Sequence, residues 1–323
     1  MPRMAEHVFD RDVYHHVWDR EIPTALTVQS GDVVHFDILM AGEGQIADGY
    51  AYEDCTFDFD TLYNLCGPVD VAGAEVGDML EIEILSLETG PYGWCAFLEG
   101  VGLLPDDFPE PYVHHFDLTK GDTTRLCDGV EIPIVPFCGT MGTCPDRPGR
   151  FVPFPPHEGG GNMDTRHLVA GATVWLPVWC EGALFSCGDP HGAQGDGEVC
   201  LAALECDMRA RLRFTVEQRT IGSPRFRTPG ALTPLVDAGG HHGTMGIGTD
   251  LMEGARKAVR ETIAWLVSEH GLTREDAYVT CSLAGDLKLL EVVDGGMWNV
   301  GFTIPLSILD GAGRGPASRL QTH

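Results

Sequence analysis

Two short stretches carry most of the side chains able to do chemistry. Gly182 to Glu205, GALFSCGDPHGAQGDGEVCLAALE, sets Asp189, His191, Gln194, Asp196, Glu198 and Glu205 among small residues. Upstream, GGGNMD places Asn162 and Asp164 directly after a run of glycines, Gly159 to Gly161. Taken together, Asp164, Asp189 and His191 offer carboxylate oxygens and one imidazole, a mixture suited to a divalent cation in a catalytic setting. An open position on such an ion acidifies water and polarises a carbonyl oxygen. Glu198 is then the candidate general base or proton shuttle, with Glu205 as the second choice.

Other chemistries find less support. A G-x-S-x-G nucleophile elbow is absent, and Lys120, Lys257 and Lys288 lie outside any Gly and Ser-rich loop. No phosphate-binding G-x-x-x-x-G-K-[ST] pattern occurs. The 11 cysteines include no C-x-x-C pair, so zinc-finger and thioredoxin readings fail; with an odd count in a chain too large to need staples, they read as reduced, mostly buried thiols. With 48 acidic against 21 basic residues the net charge is -27, which argues against nucleic acid and anionic membrane surfaces as partners. No apolar run approaches the roughly 20 residues of a membrane span. The opening MPRMAEHVFDRDVYHH lacks the apolar centre of a secretory signal, and the expected location is the cytoplasm.

The candidate residues need a rigid frame. Leu80 to Ile84 alternates apolar and acidic residues, and Glu205 to Gln218 alternates over a longer span, both with the period of a half-buried strand. In the second, Arg209, Arg211 and Arg213 share a polar face with Glu205 and read as cross-strand pairing. Pro136 to Asp164 is rich in Gly and Pro and reads as a long functional loop, and Gly182 to Glu205 as an active-site loop. Asp250 with Glu253 caps a helix that Gly271 stops, and Thr273 with Asp276 starts another. The text from Ala277 to Pro305 reads as closing strands. The fold class is mainly β, sandwich- or barrel-like, with a smaller C-terminal α+β portion. The expected division is a β-rich unit over residues 1–225 carrying the site and an α+β unit over 226–323. His157, His241 and His242, in Gly-rich loops of their own, are further candidates for lining a pocket.

With these residues in view, the chain resembles the acetamidase/formamidase family. The likeness rests on GGNMDTR, on GALFSCGDPHGAQGDGEVC after LPV, on GPVDVAGAEVGDML, and on TMGIGTDLMEGARKA with LTREDAY downstream. It implies hydrolysis of short-chain amides to the acid and ammonia, metal ions, a β-rich fold and oligomers. Carried over residue by residue, it points to Asn162, Asp164, Asp189, His191, Gln194, Asp196 and Glu198. Asp37 stands where the family generally has Glu, and Gly192 where Ala is usual. The reading is a metal-assisted hydrolase of acetamide or formamide. Asp164, Asp189 and His191 hold the ion, Glu198 handles protons, and Gln194 or Asn162 orients the amide or its oxyanion. The expected ion is zinc, with calcium or magnesium as alternatives; the expected partners are a small neutral amide and further copies of the chain. The alternatives are a non-catalytic metal- or small-amide-binding protein on the same fold and a hydrolase of carbamates or larger amides.

Overall fold

The computed structural model describes residues 4–230, 240–292 and 296–309. Strand accounts for 40% of it and helix for 13%. A large, mainly antiparallel sheet, 13-stranded among the described residues, runs along its main path in the order Gly160–Asn162, Phe137–Gly142, Phe185–His191, Glu205–Glu217, Met79–Phe97, Thr173–Pro177 and Arg225–Arg227. The expected alternations are here as long strands: Glu205–Glu217 lies beside Met79–Phe97 over most of its length. The Arg face pairs as expected, Arg213 to Glu83 at 2.7 Å and Arg211 to Glu6 at 3.3 Å.

A second sheet of His241–Gly248, Trp298–Pro305 and Asp286–Glu291 carries the helix Leu251–His270 (α1) on one face. Asp250 accepts from the Glu253 N–H, and Gly271 closes α1 in the left-handed conformation that glycine adopts at little cost. Thr273 likewise caps Arg274–Ala284 (α2) by accepting from the Asp276 N–H. The expectation of strands from Ala277 is corrected here, because α2 runs through to Ala284 and is buried from Ala277 onward. A helix enclosed on every side shows no amphipathic period, and its β-branched Val279 and Thr280 mislead a reading by propensity. None of the described helices is long and apolar enough to cross a membrane.

The apolar interior joins these parts. One buried cluster combines Trp94, Phe97, Leu104, Phe108 and Leu204 from the β-rich segments with Val259, Leu266, Tyr278 and Phe302 from the C-terminal portion. A second fills the large sheet with Val34, Phe36, Ile82, Phe185, Leu212 and Phe214. The cysteines are free thiols and all but Cys55 and Cys127 are buried, in line with the expectation of mostly buried thiols.

Two histidines of the frame give the fold an acid limit. His15 donates from Nδ1 to the Val17 carbonyl at 2.7 Å, which leaves Nε2 to accept from the Ser186 hydroxyl at 2.9 Å. His157 accepts on Nδ1 from the Gly159 N–H at 3.0 Å and packs edge-on against Trp18. Burial pushes both imidazoles down from 6.5 to about 4. A base with its folded pKa depressed contributes stability that is complete above the unfolded value and is lost as pH falls through the folded value. These two imidazoles therefore contribute a loss of stability between pH 6.5 and 4, of up to about 1.4 kcal/mol per pH unit for each proton that they take up on unfolding. Denaturant titrations across that window check it, and His15→Gln should flatten the decline.

Candidate active site

Three segments of the large sheet meet at one point. The Phe185–His191 strand is buried along its whole length and lies between Phe137–Gly142 and the start of Glu205–Glu217. This corrects the expectation of a flexible loop for Asp189 and His191: both stand on a rigid central strand. The Pro136 to Asp164 stretch likewise contains two buried strands, Phe137–Gly142 and Gly160–Asn162, paired with each other. His191 is directly opposite Glu205 in the ladder, so their side chains meet across the strands. The same pairing corrects Glu205's place on the solvated Arg face, since Glu205 is buried.

The chain turns Asp164 toward this pair just after the Gly160–Asn162 strand. The N–H groups of Met163 and Asp164 both donate to the Gly139 carbonyl, at 3.0 and 3.2 Å. Gly139 itself leaves the space in which the carboxylates and imidazole gather. A Cβ there would sit 2.6 Å from Asp164 Oδ1, 2.7 Å from His191 Cε1 and 2.8 Å from Asp189 Oδ2. Asp164, Asp189 and Glu198 all adopt positive φ, 43°, 53° and 42°, in a region that residues with a Cβ occupy at a cost. Such backbone strain persists where surrounding structure overdetermines it, commonly at functional sites.

The geometry gathers the expected residues. One ligand atom from each of Asp164, Asp189 and His191 lies within 4.8 Å of the others, and the same holds for His191, Glu198 and Glu205. His191 Nε2 is 3.4 Å from Asp189 Oδ2 and 3.3 Å from Glu205 Oε2. Gln194 and Asn162 are turned toward these ligands. The Gln194 side-chain amide donates to the Asp164 carbonyl at 2.9 Å, which directs its Oε1 to accept from His191 Nδ1, also at 2.9 Å. With the proton on Nδ1, Nε2 presents its lone pair to the carboxylates when the ring is neutral. Asn162 accepts from Thr140 Oγ1 at 2.6 Å and donates to Asp164 Oδ2 at 2.7 Å, so it orients a carboxylate.

Asp196 stands apart, held by His167 at 3.4 Å and Arg166 at 4.0 Å. His242 stacks on Trp265 at 3.6 Å, and His241 is exposed on the small sheet. Tyr63 was not legible as a site residue. Burial and then the carboxylates of Asp189, Asp164, Glu205 and Glu198 hold its phenol well above the usual range, so the hydroxyl stays protonated.

Electrostatically the cluster is costly as a set of bare side chains. Burial, then Asp189, pushes the Asp164 carboxyl up to about 7. Burial, then Asp164, raises Glu198 well above the carboxylate range, and burial raises Glu205. Burial opposes charge on His191, but Glu205 and Asp189 outweigh it and raise its proton affinity well above the ordinary imidazole value. Among the described residues, His191 Nε2, Asp164 Oδ1 and Glu205 Oε2 are all buried without a hydrogen-bond partner. Each such atom costs about 1–3 kcal/mol when it stays unpaired. One imidazole nitrogen and two carboxylate oxygens, orphaned around one small space, fit a divalent cation.

The C-terminal portion holds the loop that carries Glu198. Gly195 N–H donates to the Ser282 carbonyl at 2.7 Å, Leu287 N–H to the Asp196 carbonyl at 2.9 Å, and Cys200 N–H to Ser282 Oγ at 3.2 Å. The Tyr278 hydroxyl donates to the Val199 carbonyl at 2.6 Å. Buried Arg166 pairs with buried Asp286 at 2.5 Å, and the same Asp286 oxygen accepts from the Asp196 N–H at 3.0 Å. Removing one partner of a buried pair strands the other charge at a cost of about 3–5 kcal/mol. Asp286→Ala is therefore expected to lower the unfolding free energy by that much and to speed amide exchange in the Gln194 to Leu201 loop; an unchanged denaturation midpoint would contradict this clamp.

The acetamidase/formamidase family model matches residues 4–148 and 149–311. The chain belongs to the acetamidase/formamidase family. It is 28% identical over 247 residues to the acetamidase of Mycolicibacterium smegmatis, a match covering 57% of this chain and 61% of that protein. The fold is close to that of a gamma lactamase from Delftia acidovorans, with a TM-score of 0.87, 23% identity and coverage of 96% of this chain and 95% of that one. An acetamidase from Bacillus halodurans matches with a TM-score of 0.66 and 29% identity over 95% of this chain and 99% of that chain.

Proposed function

We propose that this protein hydrolyses a short aliphatic amide, acetamide or formamide, to the carboxylic acid and ammonia with the help of a divalent cation. Family membership and the likeness to acetamidases support the reaction class. The orphaned buried atoms of His191, Asp164 and Glu205 around one space carry the metal assignment. Asp164, Asp189 and His191 hold the ion, and Glu205 is close enough to add an oxygen. The imidazole nitrogen in the set favours zinc over calcium or magnesium, which prefer oxygen alone. When bound, such an ion acidifies water and polarises an amide carbonyl.

The chain's own groups do the rest. Glu198, half-buried beside His191 and Glu205, takes a proton from the attacking water and returns it to the departing amine. Gln194 fixes the His191 tautomer and Asn162 fixes Asp164, so both act as positioning residues and not as contacts to substrate. Asp196 belongs to the Arg166–Asp286 clamp. The net charge of -27 favours a neutral substrate and repels the anionic product.

The test is ammonia release from a panel of acetamide, formamide, longer amides and carbamates, with and without chelator. Release from acetamide or formamide that stops on chelation is the expected result. Release that survives chelation would remove the ion from the reaction, and no release from any member would favour a metal-binding protein without catalysis.

A further inference from the structure

Away from the carboxylate cluster, a cavity of about 350 Å³ opens between α1, the start of α2 and the segment around Leu104 to Phe108. Its wall is apolar, formed by Leu104, Phe108, Ile263 and Val267. At its rim Asp107 is neutralised by Arg260, which reaches one of its oxygens with both Nε and Nη2 at 2.9 and 2.6 Å. Arg274 is different. Its guanidinium lies over the Phe108 ring at 5.3 Å and donates only a long bond to the Asp107 carbonyl, 3.4 Å, and among the described residues no carboxylate pairs with it. What sets Arg274 apart is its place, a guanidinium without a carboxylate partner among the described residues at the mouth of an apolar cavity. Guanidinium groups bind carboxylates strongly through paired N–H donors, and apolar pockets of this size take small ligands.

The wall of this cavity is also the brace of the catalytic loop. Phe108 stacks on Tyr278 at 4.3 Å. Tyr278 donates to the Val199 carbonyl at 2.6 Å, and the Leu103 N–H donates to the same carbonyl at 2.9 Å. Val199 follows Glu198 directly.

We propose that the cavity beside Arg274 binds a small monocarboxylate with a short apolar tail, and that its occupancy braces the Glu198 loop through Phe108, Tyr278 and Val199. The tail fills the space among Leu104, Phe108, Ile263 and Val267, and the carboxylate pairs with Arg274. The site is separate from the amide-hydrolysis reading and stands or falls without it.

Hexanoate is the probe, followed by calorimetry and by hydrogen exchange on the full-length protein. Binding with a dissociation constant on the order of 1 mM is expected, with hexanol binding more weakly. Arg274→Gln, at an exposed position, should weaken hexanoate by about tenfold, the loss of one charge-assisted bond. Ala264→Trp, from an exposed position into the cavity, should abolish binding. Exchange in peptides covering Glu198 to Leu201 should slow with hexanoate in the wild-type protein and not in Ala264→Trp, and Glu198→Gln protein should bind hexanoate as the wild type does. Absence of binding, binding that survives Ala264→Trp, or hexanol binding as tightly as hexanoate would overturn the site. Binding without slowed exchange would overturn the brace.

Discussion

Replacing Glu198 by Gln is expected to cut ammonia release by a factor of about 100 to 10,000 while the folded protein keeps its metal. The substitution preserves shape and removes only the ability to take and return a proton. The loop stays in place because its anchors are backbone groups: Val199 is held by Tyr278, Cys200 by Ser282 and Gly195 by the Ser282 carbonyl. The loss should therefore fall on kcat, with KM little changed, because an interaction confined to the transition state is what has gone. Metal content of the purified variant, read beside its kinetics, separates this from damage to the ion site. A variant of full activity would remove Glu198 from the proton path and move attention to Glu205, the other carboxyl beside His191.

Adding a single methyl group at Gly139 is expected to be nearly as damaging, by a different route. Gly139 is not among the residues with positive φ, so its backbone accepts alanine. Its new Cβ would press on Asp164 Oδ1, His191 Cε1 and Asp189 Oδ2, at 2.6 to 2.8 Å. Real carbon atoms do not approach so closely, so the ligands must move apart, and metal affinity should fall by about 100-fold, the upper end for mispositioned ligands. Crowding this buried space should also lower the stability of the chelated variant, by about 1–3 kcal/mol, so folding of the variant is checked beside its affinity. Metal titration of wild type and variant checks the effect, and unchanged affinity would mean that the ion sits elsewhere.

Much of the frame was legible from residue order. The alternation from Leu80 to Ile84, the long two-faced strand from Glu205 and the caps at Asp250 and Thr273 are local signals, and each became the element they suggest. The D-x-H pair and the GGNMD block also led to one place, because the Phe137–Gly142 strand lies between them in the sheet. What was hidden is physical in origin. The Phe185–His191 strand is buried on both faces, so it lacks the alternation that reveals a strand and reads as a Gly-punctuated loop. Glu205 has the spacing of the Arg row, and only its pairing with His191 shows that it faces inward. The clamp between Arg166 and Asp286 joins residues 120 positions apart, and nothing local announces it. Gly139 carries no chemistry of its own; the space beside its Cα is its contribution.

The most direct measurement is the anomalous scattering at the zinc edge from crystals of the protein loaded with zinc. The expected result is one strong peak per chain among Asp164, Asp189 and His191, with Glu198 facing it. A peak at another place in a crystal of active protein, or activity in protein from which the ion is absent, would contradict the account.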